Sequence, residues 1–196
     1  ASSYQIERVA EVIKDSKADI VAIQEVDRFL ERSKAVDQVK SIAEVAELPF
    51  THFHKTVAHP KAAASEEEAE FGIAVLSKFP IKEVIIKEYE YMIPGNEQRI
   101  ALATRLDISQ LLQQDEDTTD LWFINTHIGL NFTYVEQARQ VQELTEFLKE
   151  QKLTEHPNVI ICGDFNSFSA VCSSINTMKQ YYNDAWELYH QQITQD

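Results

Sequence analysis

The chain has 196 residues, 44% apolar and 26% charged, a composition that excludes a disordered or collagen-like polymer and fits a single globular domain. Its 18 basic and 32 acidic side chains give a formal charge of −14, which argues against non-specific binding to nucleic acid or anionic lipid, since both rely on Lys and Arg. No apolar run of about 18 residues is present, and two cysteines, Cys162 and Cys172, are too few for a disulfide framework.

Ile6, Val9, Ala10 and Ile13 form the i, i+3, i+4, i+7 stripe of a half-buried helix over 4–14. Residues 18–25, Ala-Asp-Ile-Val-Ala-Ile-Gln-Glu, read as a short apolar strand. Val36, Val39, Ile42, Ala43 and Ala46 predict a second helix ended by Pro49. The pattern then changes to strands at 50–57, 72–78, 83–91 and 100–108, with turns at Pro80 and Pro94-Gly95-Asn96. A strand over 121–127 precedes a long helix at about 133–151, with Val135, Ala138, Val141, Leu144 and Leu148 facing inward. Residues 159–166 predict another buried strand running into a loop. Val171, Ile175, Met178 and Tyr182 predict a last helix, and Trp186 reads as a core aromatic. The acidic runs Glu66–Glu68 with Glu70, and Asp115–Asp117 with Asp120, read as solvated loops between apolar segments. Helices flank a central block of strands, which predicts packed sheets covered by helices and not a purely alternating doubly wound sheet.

Three apolar strands end in polar residues: Ile23-Gln24-Glu25, Ile124-Asn125-Thr126-His127 and Ile161-Cys162-Gly163-Asp164-Phe165-Asn166. Ligands collect where strands leave a sheet at their carboxyl ends. Glu25 and Asp164 with Asn and His side chains make an oxygen-rich set, suited to a hard cation such as Mg²⁺ completed by water and substrate phosphate. That set points to metal-assisted phosphate-ester hydrolysis. Cys162 reads as a small buried hydrophobe, and Phe132 and Tyr134 read as residues that shape either a substrate pocket or the entry to the long helix.

Five motifs in order, Ala18–Asp27, Phe71–Ile81, Glu97-Gln98-Arg99, Asn125-Thr126-His127 and Gly163-Asp164-Phe165-Asn166, resemble the endonuclease/exonuclease/phosphatase superfamily of deoxyribonuclease-like metal-dependent hydrolases. Arg32-Ser33 with Asp37-Gln38, and Arg139 with Gln142, resemble one branch of it. The resemblance implies an α/β fold of the α+β type, a four-layer sandwich of two mixed β-sheets flanked by helices. It implies a metal-binding Glu25, a phosphate-contacting His127, an Asp164 that orients the attacking water or holds a second metal, and a phosphate-facing Asn166. It also implies Mg²⁺ (or Mn²⁺) as cofactor and a phosphate-ester substrate, whether small molecule, lipid headgroup or nucleic acid. Arg99 is either structural or phosphate-facing on this pattern. The family's first strand with its Asn and its C-terminal Ser-Asp-His strands have no counterpart in 1–196. The expectation is therefore a single, monomeric domain incomplete at both ends, active as part of a longer protein. A non-catalytic interaction domain is the alternative.

Overall fold

The structure is a computed structural model that describes residues 3–59, 66–112, 120–130, 135–167 and 173–193. Its elements in chain order are α1 (Ser3–Ser16), β1 (Ile20–Arg28), a 3₁₀ turn (Glu31–Ser33), α2 (Gln38–Ala46), β2 (Phe50–His59), β3 (Ala69–Ser77), β4 (Ile81–Glu88) and β5 (Ile100–Asp107). Then come α3 (Ser109–Leu112), β6 (Asp120–His127), α4 (Val135–Glu150), β7 (Val159–Asp164), α5 (Ser173–Met178) and α6 (Ala185–Ile193). No helix among the described residues is long and apolar enough to cross a membrane.

Two sheets form, one of order β1-β3-β2 and one of order β4-β5-β6-β7. The first is antiparallel throughout; the second is mixed, because β6 and β7 run parallel. Strand periodicity of two sorts the apolar side chains into three layers. Ile73 and Val75 of β3 meet Ile100, Leu102, Leu106, Leu121 and Phe123 between the sheets. The alternate residues Ala74 and Leu76 face outward onto α1 and α2, against Ala10, Val39, Ile42 and Ala46. Ala101, Ala103, Trp122 and Ile124 face the other way, onto Val141, Leu144, Phe147 and Leu148 of α4. Helices, sheet, sheet and helices therefore stack as the expected four layers.

Several local expectations change. The α2 helix stops at Ala46 through a left-handed C-cap at Glu47 (φ 60°), whose N–H returns to the Ala43 carbonyl, ahead of Pro49. The β7 strand is not buried: it is the outer strand of its sheet, and Ile160 is 47% exposed. Trp186 is no core aromatic, since it lies on α6, which has no buried residue, and is 71% exposed. Val135 is also exposed, and polar Glu136, Gln137 and Gln140 fill the buried face of the first turns of α4. Glu70 and Asp120 belong to strands and not to solvated loops. Glu70 pairs with Arg28 at 3.2 Å and Asp120 with Lys82 and Arg105 at 3.1 Å each. Phe132, Tyr134, Val171, Cys172 and Asp115–Asp117 lie outside the described residues.

Candidate active site

His127 is an odd-numbered residue of β6, so it shares the inter-sheet face of Phe123 and Asn125. It therefore stands at the end of the gap between the sheets, where β7 also finishes and where β1 is interrupted, although β1 does not end at Glu25 as the sequence suggests but runs on to Arg28. Asn125 ties that gap shut from inside. Fully buried, it donates through Nδ2 to the carbonyls of Ile23 (3.0 Å) and Ala74 (2.9 Å) and accepts from Gln24 Nε2 at 2.6 Å. A side chain of one sheet thus satisfies backbone groups of two strands of the other.

The same tie sits beside a break in β1. Between Ile23, opposite Ala74, and Val26, opposite Gly72, β1 spends one residue more than β3. This bulge places Glu25 in the left-handed region (φ 57°), and its side chain is 65% exposed at the cleft mouth. The second neighbour, β2, shifts register at the same level, between Lys55 and Val57. Gly72 lies between the two irregularities, where a Cβ would sit 2.1 Å from the His54 carbonyl oxygen, so only glycine fits.

On the far side, β7 delivers Asp164. Gly163 has φ 144°, and a Cβ there would lie 1.9 Å from the Thr126 carbonyl oxygen. Close approach of β7 to β6 thus requires glycine immediately before the aspartate. Asp164 Oδ1 accepts from the Asn166 backbone N–H at 2.8 Å, and Asn166 adopts φ 47°. Asn166 Nδ2 donates to the Ile128 carbonyl at 2.8 Å and lies 3.4 Å from His127 Nε2.

His127 is the hub of the arrangement. Its Nε2 lies 4.0 Å from Glu25 Oε1 and 3.9 Å from Asp164 Oδ2. Arg99 Nη1 lies 2.7 Å from Nδ1 and 3.2 Å from Nε2. A guanidinium only donates, so the nearer Nδ1 accepts and the ring proton is assigned to Nε2, on the carboxylate side. Burial, reinforced by the Arg99 charge, holds the His127 pKa below its ordinary value against the opposing pull of Asp164 and Glu25. The imidazole is neutral at neutral pH. Cys162, behind the site, keeps its thiol protonated, because burial pushes its pKa up to about 12.

All four residues expected from the sequence, Glu25, His127, Asp164 and Asn166, therefore meet in one place. Arg99 resolves as an inward residue, 15% exposed and seated on the histidine. Arg139 does not reach the site and is exposed, while Gln142 bonds Glu146 at 3.0 Å on the outside of α4. Sequence reasoning missed the α4 residues that hold the Arg99 segment. Glu143 accepts from the backbone N–H groups of Glu90 (2.6 Å) and Tyr91 (2.9 Å), and Glu136 accepts from Asn96 Nδ2 at 3.1 Å. Gln140 donates to the Tyr91 carbonyl (2.9 Å) and accepts from the Gly129 N–H (2.8 Å). Their polar i, i+4, i+7 spacing was the available signal. A cavity of about 800 Å³ lies away from this chemistry, between α2 and β2 beside Leu48, His52 and Phe53. One of about 480 Å³ reaches Gln24 and Gly163.

The family model for the endonuclease/exonuclease/phosphatase family matches residues 1–170. The chain belongs to this family. Among solved structures, it is similar to an endonuclease/exonuclease/phosphatase protein of Beutenbergia cavernae, at 20% identity and a TM-score of 0.57 over 82% of this chain. A β-hairpin deletion mutant of Staphylococcus aureus beta toxin gives 19% identity and a TM-score of 0.65 over 93% of this chain. The catalytic domain of human nocturnin gives 17% and 0.64 over 95%. Aligned residues span 42% of the first of these chains, 68% of the second and 66% of the third. No curated protein matches the chain significantly.

Proposed function

We propose that the whole protein is a divalent-metal-dependent phosphoester hydrolase whose metal carboxylates and phosphate-facing groups lie in this chain. The observation that carries the reading is the convergence of two exposed carboxylates, Glu25 and Asp164, on Nε2 of one buried histidine, each within 4.0 Å. The donor set fits Mg²⁺ or Mn²⁺. Among the described residues no group of three or more His, Cys, Asp or Glu side chains has metal-holding geometry. Mg²⁺ characteristically takes only one or two carboxylates and fills its shell with water and substrate phosphate. When bound, such an ion neutralises phosphoryl charge and lowers the pKa of a bound water.

The chain's own groups then have distinct tasks. Glu25, extruded by the bulge, offers its carboxylate to the cation. Neutral His127 presents Nε2–H as a donor to a phosphoryl oxygen, and Arg99 fixes that tautomer from the other ring nitrogen. Asp164, anchored to the Asn166 backbone, orients the attacking water or accepts its proton. Asn166 adds an amide donor at the same mouth. The likeness to nocturnin's catalytic domain, whose structure holds a bound sulfate anion, supports a site for tetrahedral oxyanions. The charge of −14 favours small phosphate esters over long nucleic acid.

Hydrolysis of bis(p-nitrophenyl) phosphate by the whole protein tests the reading. Turnover is expected to require Mg²⁺ or Mn²⁺, to stop on chelation, and to fall by about 100-fold or more in Asp164→Ala. Turnover that survives chelation, or that Asp164→Ala leaves intact, would overturn it.

A further inference from the structure

A single peptide group connects the candidate site to the polar face of α4. The Ile128–Gly129 peptide lies one residue beyond His127, and side chains take both of its polar atoms. Its carbonyl accepts from Asn166 Nδ2 at 2.8 Å, and its N–H donates to Gln140 Oε1 at 2.8 Å. Gln140 Nε2 in turn donates to the Tyr91 carbonyl at 2.9 Å and lies 3.3 Å from Glu136 Oε1. A continuous chain of hydrogen bonds thus runs from Asn166, through the peptide and Gln140, to the loop between β4 and β5.

Each link has a fixed polarity. Gln140 meets a donor with its oxygen and an acceptor with its nitrogen, which an amide can do and a carboxylate or thioether cannot. Ile128 and Gln140 are fully buried, so these groups have no bulk water to turn to. The preceding peptide is fixed on β7, because the Ile128 N–H donates to the Asp164 carbonyl at 2.8 Å. Gly129 leaves the next one free to rotate, since no Cβ restricts its φ. A Cβ there would lie 2.5 Å from Glu136 Cδ and would displace a carboxylate that accepts from Asn96 Nδ2 at 3.1 Å. What holds the Ile128–Gly129 plane from the α4 side is therefore Gln140.

That plane decides how Asn166 faces the cleft. With the Ile128 carbonyl in place, the Asn166 amide keeps its nitrogen inward, 3.4 Å from His127 Nε2. Both are donors, given the ring tautomer assigned above, so they converge on a common acceptor instead of bonding each other. If the carbonyl swings away, nothing distinguishes the two ends of the amide, and its oxygen can face the phosphate. We propose that Gln140 is a positioning residue for this site, setting the Ile128–Gly129 peptide and through it the donor end of Asn166. This rests on the phosphoester reading given above, in which Asn166 serves a phosphoryl oxygen.

Scalar couplings across hydrogen bonds, read by nuclear magnetic resonance in the isotope-labelled protein, test the relay without activity. The wild type is expected to couple Asn166 Nδ2 to the Ile128 carbonyl carbon, and the Gly129 nitrogen to Gln140 Cδ. Gln140→Met keeps length and packing but offers no amide, and is expected to remove the Asn166 coupling too. In the whole protein with Mg²⁺, kcat for bis(p-nitrophenyl) phosphate is expected to fall about 100-fold in Asn166→Ala and about tenfold in Gln140→Met, with KM within about twofold. The double variant is expected within about threefold of Asn166→Ala, because Gln140 acts through Asn166; a merely structural loss would multiply. Gln140→Asn, a shorter amide, is expected to lie between the wild type and Gln140→Met in both readouts, and decides the matter should Gln140→Met not fold. Absence of either coupling in the wild type would overturn the role. So would an Asn166 coupling that survives Gln140→Met, or multiplying losses in kcat. Failure of the parent reading looks different: wild-type turnover would then ignore Mg²⁺, while the couplings and their loss in Gln140→Met would persist.

Discussion

Where β6 reaches the cleft it does so as core: Asn125 and Thr126 are fully buried and bonded to carbonyls of other strands, and His127 is nearly buried against Arg99, just ahead of β5. Where β1 and β7 reach the same cleft, their carboxylates are more than half exposed and φ turns positive, at Glu25, Gly163 and Asn166. One wall of the site is thus made by packing and the others by backbone devices, a bulge and a glycine contact, that expel a side chain from the packing. The comparison teaches which residues the fold needs and which the chemistry needs.

The largest expected effect falls on the joint between the two kinds of wall. Gly163→Ala places a Cβ into the Thr126 carbonyl at a φ that L residues rarely adopt. It is expected to cost roughly 3 kcal/mol or more, read by urea unfolding, or to prevent folding. Asn125→Ala strands the Ile23 and Ala74 carbonyls in the core, and a loss of about 2–4 kcal/mol is expected from the same titration. The exposed wall should behave in the opposite sense. Glu25→Ala and Asp164→Ala are expected to change stability by less than about 1 kcal/mol, while metal-dependent turnover of the whole protein falls about 100-fold or more. If they destabilise as much as Asn125→Ala, the division fails.

The pH dependence sharpens the packed side. His127, His52 and His54 all titrate below the ordinary histidine value of about 6.5, each chiefly because burial disfavours the charged ring. The unfolded chain therefore binds more protons than the folded one in that range. Their contribution is complete above about pH 6.5 and is lost as pH falls through their folded values, so the urea midpoint should be lower at pH 5.5 than at 7.5. The smallest effect concerns Cys162. With its thiol held protonated by burial, alkylation at pH 8, followed on the Cys162 peptide by mass spectrometry, should be slow in the native state and fast in urea.

Much of this was legible in the sequence, and for definite reasons. Apolar strands that switch to His and Asp mark where β6 and β7 leave their sheet, and Glu25, His127, Asp164 and Asn166 do meet, but β1 runs on to Arg28, so Glu25 leaves the packing through a bulge and not at a strand end. Gly72 and Gly163 stand inside the motifs, but the atoms they approach, the carbonyls of His54 and Thr126, come from strands distant in sequence. For Arg99 the sequence leaves a structural and a phosphate-facing role open, because composition does not tell which way a residue before a strand points; its contact with His127 depends on β5 pairing with β6. The spacing of Glu136 and Gln140 signals a polar stripe but not its burial, which depends on distant partner groups, here of residues 91–96. Trp186 misled in the opposite way: its apolarity suggested a core, but no layer covers α6 among the described residues.

The central claim, that the exposed carboxylates beside His127 form a divalent-cation site, is tested most directly by titrating Mn²⁺ into this chain at pH 7.5 and following free ion by electron paramagnetic resonance. One site is expected in the wild type, weakened at least about tenfold in both Glu25→Gln and Asp164→Asn. Equal affinity in the wild type and both variants would contradict the account.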